Sequence, residues 1–355
     1  MAVYLSVILS TSLISLFFKR TKGIMKHLVF LCSVFVPSCL SSLRQVGTDY
    51  FIYQDRYNKI AFDIHDKEID NSIIYTIMNL IHDLGGNYQI FVSIVSFITT
   101  FIAFYIIYYL CPEIDCTLSV FTYLTVLYLT SYNIFRQILA TEIMLLGIIL
   151  FLKHKKRGLI YIFLSCIVHS SMLFTLFFFA LFLFITLHEN RFEESGKKSF
   201  YIVYTGLGAL IVSLPVISSI ILRFISIFSH YGYYLTNFMY QPIGLSLLPY
   251  CFILISAYIF LSTDKFNRVE NYILYSSTIG TILWCLAFVS TSSSYRLSYN
   301  LFSSLPLLVG LTGRKTGRYK YLYLISILLL LTMYVLYYFG IKKSGEIVPY
   351  SFVSI

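Results

Sequence analysis

Long apolar runs separated by short polar stretches, most of them basic, recur from residue 2 to residue 340. Runs near 2–18, 25–43, 88–110, 116–133, 136–152, 200–222, 243–261, 271–290, 296–311 and 320–340 approach the roughly 20 residues that a helix needs to cross a bilayer. The run over 158–187 is longer. As one helix its 30 residues reach roughly 45 Å, against a hydrocarbon core of about 30 Å. His169, Ser170 and Ser171 offer a place to break it into two short passes. The pattern predicts an all-α integral membrane protein, a polytopic bundle of about 12 transmembrane helices forming a single transmembrane domain over residues 1–355.

The distribution of charge decides between one pass and two over 158–187. With two passes, 17 of the 26 Lys and Arg fall on one side, in stretches 19–26, 153–157, 191–198, 265–268 and 314–320, and 9 on the other. A single pass sends the basic cluster at 314–320 to the opposite side, against the tendency of basic loops to stay cytoplasmic. Two passes place both termini outside. The apolar opening carries no positive charge before it, and Lys19, Arg20, Lys22 and Lys26 follow it, so it reads as a retained first helix rather than a cleaved signal.

Composition removes the soluble alternatives. The chain is 58% hydrophobic and only 12% charged. Its net charge of +10 is spread over short inter-helix clusters, so orientation in a lipid bilayer explains it and nucleic acid is not an expected partner. The seven cysteines form no disulfide framework, and Cys111 and Cys116, which bracket Glu113 and Asp115, read as a plain loop.

One long loop, residues 44–87, faces out. Ile69, Ile73, Ile74, Ile77, Leu80, Ile81 and Leu84 recur in it at helical spacing with Asp70, Asn71, Asn79 and Asp83 between them, which predicts an amphipathic helix lying at the interface.

Polar residues unusual for membrane segments gather at the outer helix ends: Arg44, Arg136, His169, Arg223 and Arg296. An arginine near the end of a span can snorkel to the headgroups, but several on the side where positive charge is disfavoured point to a shared anion. Guanidinium forks match phosphate oxygens, and a lipid diphosphate is a membrane-bound ligand carrying that charge. In Arg44-Gln-Val-Gly-Thr-Asp-Tyr50, Gly47 permits a tight turn, and Asp49 either accepts a hydroxyl proton or forms an ion pair with Arg44 that pins the loop. His169 is the second candidate base, or a satisfied core histidine. Glu142 reads as packing glue within its span. Tyr231, Tyr233 and Tyr234 form either an interfacial aromatic belt or a platform for sugar rings, and Tyr50 and Tyr53 are further sugar-binding candidates. No carboxylate cluster suggests a metal cage, so neither metal nor cofactor is expected.

The stretch Arg44 to Tyr53 resembles the signature of the EpsG-like, Wzy-type polysaccharide polymerases, which carry an arginine, then Gly-Thr-Asp-Tyr, then a further tyrosine. Asn133-Ile-Phe-Arg-Gln-Ile-Leu-Ala140 is similar to that family's Arg-Gln helix opening, Cys166-Ile-Val-His-Ser-Ser171 to its His-Ser segment, and Tyr295-Arg-Leu-Ser-Tyr299 to its late arginine. The resemblance implies a glycosyltransferase that joins repeat units of an O-antigen, capsule or other surface polysaccharide on the outer face of the cytoplasmic membrane. Its donor and acceptor are polyprenyl-diphosphate-linked oligosaccharides, and a chain-length regulator and a flippase are candidate partners. By the same resemblance Arg44, Arg136 and Arg296 match the family's arginines, and Asp49 and His169 its acidic and histidine positions. Direct displacement with inversion is the expected chemistry, since no second carboxylate presents itself as nucleophile. Two competing classes remain. A transporter or flippase of lipid-linked oligosaccharide also suits a many-helix bundle with a basic cavity, and a scaffold for other assembly enzymes requires that the arginines tolerate alanine.

Overall fold

The computed structural model describes residues 1–61, 73–189, 248–261, 266–286 and 292–351. The expected span 200–222, the basic stretch 191–198, Arg223, Tyr231, Tyr233 and Tyr234 lie outside the described residues. Among the described residues the architecture is entirely helical. The helices are α1 (Ala2–Ser15), α2 (Gly23–Ser42), α3 (Thr48–Ala61), α4 (Ile73–Asp83), α5 (Tyr88–Leu110), α6 (Cys116–Tyr123), α7 (Phe135–Leu152), α8 (Gly158–Val168), α9 (Met172–Glu189), α10 (Leu248–Leu261), α11 (Arg268–Leu286), α12 (Ser292–Phe302), α13 (Leu305–Lys315) and α14 (Lys320–Val335). Helices α2, α5, α7 and the continuous stretch Gly317–Ile341 around α14 are long and apolar enough to cross a membrane, and several shorter apolar helices accompany them.

α7 is the central helix, buried along almost its whole length from Phe135 to Leu152. It packs closely along α8 because Gly147 stands where a Cβ would come within 2.8 Å of the Ile162 backbone nitrogen. Small residues let helix backbones approach in this way.

The long run over 158–187 is indeed broken. His169 leaves helical geometry at φ −153° and ψ 119°, and the chain re-enters a helix at Met172. The run over 296–311, expected as one span, is instead two helices, α12 and α13, separated at Ser303 and Ser304. Pro306 in the first turn of α13 cannot donate to the preceding turn, and the Ser304 hydroxyl is held by Ser276 Oγ at 2.7 Å and Ser277 Oγ at 2.9 Å. The run over 116–133 is helical throughout but irregular, α6 passing into a π-type stretch at Leu124–Tyr128 and a tight turn at Thr130–Tyr132.

Loops from distant parts of the chain meet at two opposite ends of this bundle. At one end the 111–116 loop gathers basic residues: Lys153 pairs with Glu113, Lys320 lies 3.5 Å from Asp115, Lys19 donates to the Ile114 carbonyl at 2.7 Å, and Arg314 donates to the Pro112 carbonyl. These cations come from three of the stretches that charge asymmetry assigns to one side of the membrane. Cys111 and Cys116 are joined by a disulfide, a correction to the plain loop expected there. At the other end stand the start of α1, the Arg44–Asp49 turn and the C-terminal segment: Tyr4 donates to the Ile347 carbonyl at 2.6 Å and Tyr350 to the Leu40 carbonyl.

α4 occupies the stretch with helical spacing in the 44–87 loop. It turns Ile74, Tyr75, Met78 and Ile81 into the protein, against α3 and α5, and leaves Leu80 and Leu84 exposed. Burying each such side chain is worth about 1.5–3 kcal/mol, which ties α4, and through it α3, to the helical bundle.

Candidate functional site

The site is built on the turn between α2 and α3. Gly47 takes φ +100°, and a Cβ there would overlap the Tyr132 carbonyl oxygen, so both conformation and space require glycine. Beyond it, the Thr48 backbone N–H and hydroxyl donate to Asn133 Oδ1 at 3.1 and 3.4 Å, locking the turn to the segment before α7. On the other flank Gln45 N–H donates to the Ser351 carbonyl at 3.0 Å and the Ser351 hydroxyl returns a bond to the Gln45 carbonyl at 2.9 Å. Asp49 therefore opens α3 at a fixed place, in the first turn, where the helix dipole favours a carboxylate.

Arg44 is only 3% exposed. Its guanidinium lies 4.4 Å from the centroid of the Tyr132 ring. Tyr132 is itself held by Tyr128, hydroxyl to hydroxyl at 2.9 Å, and Tyr128 donates onward to the Pro37 carbonyl at 2.7 Å. Arg44 Nε is buried with no hydrogen-bond partner, a donor able to serve an anionic oxygen. The alternative of an Arg44–Asp49 ion pair pinning the loop is not what the structure contains: among the described ion pairs none engages Asp49. Gly47 and the Asn133 and Ser351 contacts do the pinning instead.

Asp49 nevertheless sits in a field of cations. Arg296, Arg44, Arg136 and Arg56 all act on it, in that order of strength, while burial pushes its carboxyl up from 3.8 to about 6. Three of those arginines are the ones singled out by sequence, from positions more than 250 residues apart. Arg136 stands in the first turn of α7, whose N-terminus carries no side-chain cap, so unpaired backbone N–H groups add to its positive charge. Arg296 is on the exposed side of α12.

His169, in the break between α8 and α9, belongs to the same cluster. Burial, then Arg136 and Arg296, push its imidazole down to about 4. Its Nδ1 accepts the Ser171 backbone N–H at 3.2 Å and lies 2.7 Å from the Ser171 hydroxyl. Gln137, beside Arg136, donates to the Arg296 carbonyl and to Asn300 Oδ1, both at 2.6 Å, and Asn300 Nδ2 donates to the Ser171 carbonyl at 3.1 Å.

The structure thus brings Arg44, Asp49, Arg136, His169 and Arg296 together. Tyr50 and Tyr53 it places differently from the sugar-binding expectation. They are 2% and 7% exposed, Tyr50 packed on Phe51 and Tyr88 and Tyr53 on Phe135 with centroids 4.6 Å apart, so both serve as internal supports of the turn. Glu142 Oε1, expected to find a polar neighbour, has no hydrogen-bond partner. No group of three His, Cys, Asp or Glu gathers among the described residues in the manner of a metal site.

Sequence reasoning missed Gln137, Asn300, Asn133 and Arg56. Helical spacing signals two of them, since Asn300 follows Arg296 by four residues and Arg56 follows Asp49 by seven, each on the face of its neighbour. Gln137 and Asn133 carry no local signal, because their partners are distant in the chain.

Residues 27–352 match the model of the EpsG family. Neither a search of curated proteins nor a search of solved structures returns a match.

Proposed function

The chain belongs to the EpsG family, a family of polysaccharide-related membrane proteins, and from that premise we propose that it is a glycosyltransferase polymerising polyprenyl-diphosphate-linked oligosaccharide repeat units. The proposed setting is the cytoplasmic membrane, crossed by about twelve passes, with the Arg44–Asp49 end facing out. The observation that carries this reading is the buried Arg44 Nε, which has no hydrogen-bond partner among the described residues, in the positive field that Arg296, Arg44 and Arg136 set up at Asp49. A buried guanidinium donor left without a partner among several positive charges suits an anionic oxygen, and a diphosphate is the anion that a lipid-linked sugar brings.

In the proposed step an acceptor-sugar hydroxyl attacks the anomeric carbon of the chain linked to polyprenyl diphosphate. The new carbon–oxygen bond forms as the bond to the diphosphate oxygen breaks. The electron pair leaves on the diphosphate, whose growing negative charge the arginines stabilise, and Asp49 takes the hydroxyl proton. Asp49 is the carboxylate near the cluster, so the reading predicts inversion at the anomeric carbon.

The test is reconstitution of the purified protein in lipid with a polyprenyl-diphosphate-linked repeat unit from the same cell, with products sized on a gel. A ladder of longer chains that drops by about 10²–10³ in Arg44→Ala supports the polymerase, the loss being typical of removing one stabilising donor. Absence of elongation, together with movement of the labelled lipid across sealed vesicles, would replace it with a transporter or flippase.

A further inference from the structure

Helix α7, helix α12 and the break at His169 are joined by a line of hydrogen bonds whose direction is set at both ends by backbone groups. The Arg296 carbonyl can only accept, so the Gln137 atom 2.6 Å from it is the amide nitrogen. The second hydrogen of that nitrogen then goes to Asn300 at 2.6 Å, which makes the Asn300 atom there the oxygen. The Asn300 nitrogen is left to donate to the Ser171 carbonyl, another pure acceptor, at 3.1 Å. Ser171 so held aims its own backbone N–H at His169 Nδ1, 3.2 Å away, with its hydroxyl 2.7 Å from the same atom.

A backbone N–H has no lone pair to offer, so the Ser171 N–H bond selects an unprotonated Nδ1, whichever way the Ser171 hydroxyl, also 3.4 Å from Asn300 Oδ1, is turned, and a neutral imidazole then carries its proton on Nε2. None of the described hydrogen bonds uses that proton. In this form both nitrogens are committed: Nδ1 has its lone pair occupied and Nε2 has none free, so the ring cannot accept a proton from an attacking hydroxyl. Arg136 and Arg296, the charged groups that act on the ring, disfavour adding one.

We propose that His169 works as a neutral Nε2–H donor to a phosphate oxygen of the lipid-linked diphosphate, with Gln137 and Asn300 as the positioning residues that hold this tautomer. The inference rests on the polymerase reading for its ligand, and it leaves Asp49 as the single base. It also accounts for the polar residues Gln137 and Asn300, 5% and 2% exposed, standing inside apolar helices next to Arg136 and Arg296.

The tautomer is measured without any substrate, on the full-length protein in lipid nanodiscs with ¹⁵N-labelled histidine, the His169 signals being those lost in His169→Gln. The expected wild-type pattern at pH 7 is a protonated Nε2 and an unprotonated Nδ1, and Asn300→Ala should add a population with the proton on Nδ1. A wild-type ring protonated on Nδ1, or on both nitrogens, overturns the proposal, as does an unchanged pattern in a folded Asn300→Ala.

Elongation gives the second readout. Glutamine keeps an N–H donor, so His169→Gln should hold activity within about 10-fold of wild type while His169→Ala loses about 10² or more. Equal loss in both overturns the donor role. Wild-type protein that shows the expected tautomer but elongates nothing refutes the polymerase reading alone.

Discussion

Replacing Asp49 by asparagine should make the protein more stable and less active at the same time. Burial lifts the Asp49 carboxyl from 3.8 to about 6 in the folded chain, net of the pull of four arginines. Because the folded value is the higher one, the folded state binds its proton more tightly than the unfolded state does. The associated stability is fully present below about 3.8 and is lost as pH rises through about 6. At about 1.36 kcal/mol per tenfold change in proton affinity, the ionised carboxylate costs the fold about 3 kcal/mol above pH 6. Asparagine is nearly isosteric and uncharged, so it removes this cost.

Thermal unfolding in detergent from pH 4.5 to 8 should show Asp49→Asn gaining on wild type as pH rises, the gap reaching about 3 kcal/mol above pH 6 and then levelling off; His169, held down at about 4 in the folded chain, adds stability to both proteins as pH rises and cancels in the comparison. Elongation by wild type should rise through an acid limb near 6 as the base ionises, and Asp49→Asn should fall by about 10²–10⁴ throughout. An Asp49→Asn protein that is less stable than wild type at pH 8 would refute the reasoning, because it would mean that the arginines hold the carboxylate as a structural partner.

Gly47→Ala should cost at least about 1–2 kcal/mol of stability from its φ of +100° alone, and elongation should fall tenfold or more because the added Cβ drives the turn off the Tyr132 carbonyl; thermal unfolding and gel sizing read the two effects. Tyr132→Leu removes the ring beneath Arg44 and its bond to Tyr128, and should cost about 1–3 kcal/mol measured by the same unfolding assay, whereas Tyr128→Phe, which loses only hydroxyl contacts, should cost less. The two ends of the bundle should face opposite sides of the membrane. A cysteine at Asn58 should react with an impermeant maleimide in intact cells, and one at Lys156 only after permeabilisation, in a background cleared of reactive native cysteines. Labelling of both without permeabilisation would overturn this orientation.

Much of the fold is legible in the sequence because a membrane-crossing chain must satisfy every backbone group within its own helix, so length and apolarity alone mark α2, α5, α7 and the stretch around α14. Charge carries the next layer. Counting basic residues was enough to prefer a break near His169, where the backbone does leave helical geometry, and to group Lys19, Lys153, Arg314 and Lys320, which meet around the 111–116 loop. The arginines and Asp49 could be nominated because charged residues beside hydrocarbon are costly and stand out.

What the sequence could not carry is partnership. Nothing local shows that Arg44 rests on Tyr132 rather than pairing with Asp49, that Tyr50 and Tyr53 turn inward, or that α12 and α13 part beside a Ser304 hydroxyl held by α11. The same holds for Gln137 reaching Asn300, 163 positions away, and for Asn300 reaching Ser171, 129 positions away. Helix formation depends on neighbours three and four residues apart and leaves a periodic trace. A buried polar contact depends on which helices pack side by side, and only the folded bundle decides that.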